Sequence, residues 1–180
     1  LTLSVPMSLD TVTMREGAQI KSNLADQTGS VTTKSLRFSP DLSGTEWKAL
    51  GVPLASAVIK NSTEEEISAP SVQNVDNGIW FARLKDNKTP EFVVDESAFG
   101  MAGLWAANGD TYTISSEGAF EFKTLEEPAA PTETGTFLMC SNPNTFTITL
   151  KQSAYILTTD GTSFEQEANP EIKPFQSFVL

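Results

Sequence analysis

The chain has 180 residues, 39% of them hydrophobic and 19% charged, so it carries enough apolar weight to bury a core. A net charge of −11 sets its surface against phosphate backbones and anionic leaflets, which excludes nucleic acid as an expected partner. No apolar run approaches the roughly 20 residues of a membrane helix, so membrane insertion of this segment is not expected, and one cysteine permits no intrachain disulfide.

The first predicted element is "LTLSVPMSL", where Leu1, Leu3, Val5, Met7 and Leu9 alternate with polar positions as in a half-buried strand. Pro6 lacks a ladder donor and places this strand at an edge or a bulge. Strands are next predicted over 31–38, 56–60, 79–84 and 91–95, short runs rich in Thr, Val, Ile and Phe. Between them, "SPDLSGTEWKAL" could start a turn of helix capped by Ser43 or Thr45. "DESAFGMAGLWAA" has a cap-like Asp95 but carries Gly100 and Gly103, each costing about 1 kcal/mol in a helix, and its state stays open. Strands at 111–115 and 119–124 flank Glu117-Gly118 and read as a hairpin. The stretch 125–135 holds two prolines and reads as a loop or internal linker. Strands at 135–140, 145–150, 153–158 and 172–180 complete the chain, with a second hairpin around Asp160-Gly161. Many short strands with Gly- and Asn-containing turns predict an all-β fold, an antiparallel β-sandwich with very little helix. One domain over 1–180 is expected, because about four strands beyond 135 are a small unit to stand alone. Its expected core includes Trp47, Phe81, Phe137, Tyr155, Phe164 and Phe175.

The ending "NPEIKPFQSFVL" is unusually apolar for a terminus. The pattern predicts a closing strand with Phe175 and either Phe178 or Val179 facing inward and Pro174 at its first position. The last 46 residues also carry Gly135-Thr136, Tyr155-Ile156-Leu157, Gly161, Phe164, Pro174-Phe175 and Phe178 in an order that resembles a C-terminal β-module of secreted and surface proteins of Bacteroidetes. Upstream, Trp47, Leu50 and Pro53 are similar to that module's Trp-x-x-Leu-x-x-Pro opening strand. Two departures are Gln176 and Phe178, where the module usually has a basic residue and a Tyr, and the lack of its Asn/Thr-Pro-Tyr segment near 99–108. The resemblance implies a cell-surface or secreted bacterial protein whose precursor signal has been removed; a first residue of Leu1 rather than Met agrees with trimming.

Chemistry is bounded mainly by what is missing. There is no histidine, which removes Ser-His-Asp and Cys-His systems and nearly every zinc site. Neither a dinucleotide fingerprint nor a P-loop occurs, and no cofactor or metal is expected. A glycosidase needs only two carboxylates about 5–10 Å apart, but Glu64-Glu65-Glu66 reads as a solvated loop or helix start. Asp76, Asn77, Asp86, Asn87, Asn108 and Asp110 could offer oxygens to Ca²⁺, yet read as turn residues. Cys140, beside Phe137, Leu138 and Met139, reads as a buried, inert thiol. Asn61-Ser62-Thr63 and Asn87-Lys88-Thr89 match the N-glycosylation sequon, and a bacterial source would leave both unused.

Of Trp47, Trp80 and Trp105, Trp105 is the expected sugar platform if the chain binds glycan, while the usual fate of tryptophan favours its burial. Gly100, Gly103 and Gly109 thin out the side chains around it, and Asn108 or Asp110 would bond sugar hydroxyls. The alternative reading has Trp105 plugging the end of the sandwich, and Trp47 is expected in the core. These features predict a non-enzymatic surface module for adhesion, glycan binding or spacing, monomeric, with a glycan or another surface protein as partner. A carbohydrate-active hydrolase and a pilus-type subunit that exchanges its first strand are the alternatives.

Overall fold

The computed structural model describes residues 1–3, 7–22, 31–42, 46–51, 57–67, 79–88, 91–94, 102–107, 111–116, 119–122 and 128–180. Every regular element among them is a strand, as the alternation predicts, and none is a helix long and apolar enough to cross a membrane. In chain order these are β1 (Thr2–Leu3), β2 (Ser8–Arg15), β3 (Lys21–Ser22), β4 (Val31–Ser39), β5 (Lys48–Leu50) and β6 (Ala57–Lys60). Then come β7 (Glu66–Ile67), β8 (Ile79–Leu84), β9 (Phe92–Val94), β10 (Gly103–Ala107), β11 (Thr113–Ser116) and β12 (Phe120–Phe122). The C-terminal part adds β13 (Met139–Ser141), β14 (Ile148–Thr149), β15 (Ala154–Leu157), β16 (Phe164–Glu167), β17 (Glu171–Ile172) and β18 (Ser177–Val179).

The strands stack as three layers. The first is built on β4. On one side β4 pairs in parallel with β2, from Ser8 opposite Thr32 to Arg15 opposite Ser39. On the other it pairs antiparallel with β11 and β12, and β6 and β7 continue outward from β11. The second layer is the antiparallel sheet β5-β10-β8-β9. The third is β13-β18-β15-β16, closed on its far face by the β14–β17 pair.

Two cores lie between the layers and a third within the last. Met14, Leu36, Phe38, Ile59 and Ile114 of the first layer meet Leu50, Phe81 and Trp105 of the second. On the second layer's other face Ala49, Ala82 and Leu104 form a buried cluster against which Trp47, Phe92, Met139, Leu157 and Phe164 pack. Period two explains how one sheet serves both, since neighbours along a strand point to opposite faces: Leu104 and Trp105 of β10 belong to different cores. Sheet β13-β18-β15-β16 behaves likewise, with Met139 and Leu157 on one face and Cys140, Ile156 and Phe178 on the other, against Leu150 and Ile172.

Several expectations are corrected. The stretches 111–115 and 119–124 form no hairpin, because β11 and β12 both pair with β4. Six steps from Ile114 to Phe120 match five from Phe38 to Thr33, so the register shifts by one, as a bulge does. The sheets are antiparallel as expected, with β2–β4 and the short β1–β3 pair as parallel exceptions; alternation reads the same for both directions. The open stretch ending in "GLWAA" contributes β10, and "TEWKAL" contributes β5. Tyr155, expected inside, is 36% exposed. The closing strand is split: β17 ends at Ile172, Lys173–Gln176 forms a turn, and β18 follows. Pro174 is therefore a buried turn residue and opens no strand. The second hairpin is as expected, with Leu157 opposite Phe164 and Gly161 at φ +68°. Asp160 accepts hydrogen bonds there from the hydroxyls of Thr158 (2.6 Å) and Thr162 (2.8 Å), which hold its carboxyl below the usual range.

A polar knot that the sequence did not flag fixes the C-terminal turn. Fully buried Asn142 donates through Nδ2 to the carbonyls of Phe146 (2.8 Å), Ile172 (3.0 Å) and Lys173 (3.1 Å). Its Oδ1 accepts from the backbone and side chain of Asn144. Every hydrogen-bonding direction of the amide is thus used, as burial requires.

Candidate functional site

The expected platform is not at the surface. Trp105 is 0% exposed, its Nε1 donates to the Leu50 carbonyl at 3.2 Å, and the Phe81 ring meets it edge-on with centroids 5.5 Å apart. The glycine reasoning fails for a specific cause: a Cβ on Gly103 would lie 2.4 Å from two Phe81 ring carbons. The missing side chain makes room for Phe81, which in turn covers Trp105. Asn108 and Asp110 lie outside the described residues, and the neighbouring Tyr112 is buried at 2% exposure.

Trp47, expected inside, is half-buried and lines a cleft of about 250 Å³ at the edge of the middle sheet. Three pieces of chain make its walls. The first is Trp47 to Leu50, running into β5. The second is the turn Glu16–Ala18 after β2, with Phe38 behind it. The third is Leu157–Thr159 with Lys173, Pro174 and Gln176. Backbone pairing fixes their relative positions, since Leu50 bridges Gln176 and Gly51 N–H donates to Phe175 O at 2.8 Å. The tip of the β15–β16 hairpin packs on the Trp47 backbone, since a Cβ on Gly161 would lie 2.6 Å from its carbonyl oxygen, while the Trp47 side chain packs against Ala49, Ala82 and Leu104.

The cleft's charges are unevenly committed. Glu16 Oε2 accepts from the Asp41 N–H at 2.7 Å. The Gln176 side-chain oxygen accepts from Lys173 N–H at 2.9 Å. Neither Lys48, half-buried, nor Lys173, exposed, has an ion-pair partner among the described residues, where the pairs involve Lys34, Arg37, Lys60 and Lys85. Lys48 stands opposite Trp105 in the β5–β10 ladder. The lining thus brings together one tryptophan, two lysines and the hydroxyl residues Thr158 and Thr159, residue types that suit a small polar ligand.

The other sequence candidates hold local structure. Asn61 Oδ1 accepts from the N–H groups of Thr63 and Glu65, and the Asn61 amide donates to Glu65 Oε2 at 3.1 Å. Glu64, at φ +63°, lies within 4 Å of Arg37 and Lys60, so the acidic run is a solvated turn. Asp86 accepts from the Lys88 N–H in another turn, while Asp76 and Asn77 lie outside the described residues. Among the described residues no three His, Cys, Asp or Glu side chains gather as metal ligands. Cys140 is buried, and desolvation pushes its thiol up to about 11.

No protein-family model, curated protein or solved structure matches the chain.

Proposed function

We propose that the chain is a non-enzymatic carbohydrate-binding module of a secreted or cell-surface protein, with Trp47 as the platform and the cleft around it as the site. The observation that carries this reading is Trp47, half-buried against Ala49, Ala82 and Leu104 and lining open space of about 250 Å³. Sugar rings present C–H faces that pack on an indole, and an indole already packed against Ala49, Ala82 and Leu104 loses little entropy on binding. The secreted setting rests on the resemblance of the Trp47 segment and the C-terminal strands to a Bacteroidetes surface module. A non-catalytic role agrees with a cleft whose described lining residues include one carboxylate, Glu16, already bonded to a backbone amide.

The test is isothermal titration of a panel of oligosaccharides against the wild type and Trp47→Ala, with urea unfolding of both as a control. The expected result is binding to at least one saccharide, lost in a variant that stays folded. A wild type that binds no saccharide, or a variant that binds as well as the parent, overturns the proposal.

A further inference from the structure

Resting on the carbohydrate reading of the same cleft, we infer that its ligand is an anionic saccharide, one carrying a carboxylate or sulfate group that Lys48 and Lys173 hold while Trp47 stacks on the ring. The chain has 23 acidic residues against 12 basic ones, so a lysine on this surface meets acidic neighbours about twice as often as basic ones. Lys34, Lys60 and Lys85 each lie against such a neighbour, within 2.6 to 3.8 Å. Lys48 and Lys173 share with Lys21, Lys88 and Lys151 the lack of such a partner among the described residues, and only these two line one concave site together. Glu16, the acidic residue in the lining, spends its Oε2 on the Asp41 amide.

A carboxylate or sulfate set beside the two amines gains charge-assisted hydrogen bonds, which are about twice as strong as neutral ones. Lysine supplies a point charge on a flexible stem, which tolerates either a carboxylate or a sulfate ester. The net charge of −11 works in the other direction at long range. It disfavours densely charged polymers and leaves a sparsely charged sugar as the ligand that gains most from two local amines. Because the attraction is between partly exposed charges, added salt weakens it.

The experiment compares a uronic-acid oligosaccharide, the same oligosaccharide with its carboxyl groups reduced to alcohols, and a sulfated oligosaccharide of equal length. Binding is measured by titration at low and high salt, with Lys48→Gln/Lys173→Gln beside the wild type. The expected result is that the uronic-acid form binds about tenfold or more tightly than its reduced twin at low salt. High salt should shrink that ratio, and the double variant should bring it to about one. Tight binding by the sulfated form alone upholds the anionic class and identifies sulfate as its source. Equal binding of charged and reduced forms by the wild type overturns the inference and leaves the carbohydrate reading standing. If none of the three binds, and the neutral panel also fails, both fall together.

Discussion

Gly103 and Phe81 show how one absent carbon sets the fate of a larger side chain. With a Cβ at Gly103 the Phe81 ring would have to move, and with it the edge-on contact to Trp105. Gly103→Ala should therefore cost about 1–3 kcal/mol, the usual range for forcing an extra methyl into a packed core. The reading is a lower urea midpoint at unchanged slope; a midpoint equal to the parent's would refute it. Trp105→Phe should remove no acrylamide-quenchable fluorescence, leaving that component to the half-buried Trp47 and Trp80. The sequence did show that glycines crowd around Trp105, but a residue's own neighbours in the chain say nothing of what fills the space across the sheet. Cys140, by contrast, was legible as a buried thiol from the apolar residues before it. Its pKa of about 11 lies above the roughly 8.5 of an unfolded thiol. Between those values the unfolded chain has lost a proton that the native state keeps, so this contribution is fully present below pH 8.5 and stability declines as pH rises toward 11. Wild type and Cys140→Ala should therefore diverge in the pH dependence of the urea midpoint only above about pH 8.5. Parallel curves through that window would show that Cys140 is no more buried than in the unfolded chain.

At the scale of elements, strands were easy to find and their partners were not. The run 79–84 was bounded from sequence at both ends, because Ile79 to Leu84 has the composition a pleated, buried surface selects. Yet Glu117-Gly118 separates two alternating runs as a hairpin turn does, and the runs instead lie in file along β4. Local composition cannot distinguish a turn from a bulge when a long neighbouring strand supplies pairing for both flanks. The C-terminal segment holds the same lesson, since its apolar weight was read rightly and its shape was not. Phe175 sits in a turn at φ +59° and drives its ring against Phe38, centroids 5.0 Å apart, in the core between the first two layers. Phe175→Ala should cost about 3–5 kcal/mol from the cavity alone. The positive φ adds a second test, because glycine adopts it without the steric cost of roughly 1–2 kcal/mol that a Cβ brings. Phe175→Gly should accordingly be at least as stable as Phe175→Ala, although glycine at an ordinary position is the worse by about 0.5–1 kcal/mol. Chemical denaturation of the pair decides: a glycine variant clearly below the alanine one would mean the turn relaxes once the ring is gone.

For the whole molecule the decisive feature is a middle sheet apolar on both faces. Neither outer layer can leave without exposing it, and Ser177 Oγ accepts from the Gly103 N–H at 3.2 Å to join the second and third layers through a buried hydrogen bond. Such an arrangement also hides its site from sequence reading: the cleft combines residues near 16, 38, 47, 158 and 174, which share no motif and meet only through three-layer stacking. The coupling has a direct consequence for unfolding. Trp47, Trp80 and Trp105 all belong to the middle sheet or its approach, so tryptophan fluorescence reports that layer. Cys140 lies in the core of the C-terminal layer, so its alkylation by a brief pulse of reagent reports the other end of the stack. If the shared sheet makes the layers interdependent, both probes should give the same urea midpoint, the signature of one cooperative transition. A thiol that becomes reactive at a lower urea concentration than the fluorescence change would show the C-terminal layer opening first. In that case the packing of Met139, Leu157 and Phe164 on Ala49, Ala82 and Leu104 is too weak to bind the layers into one unit.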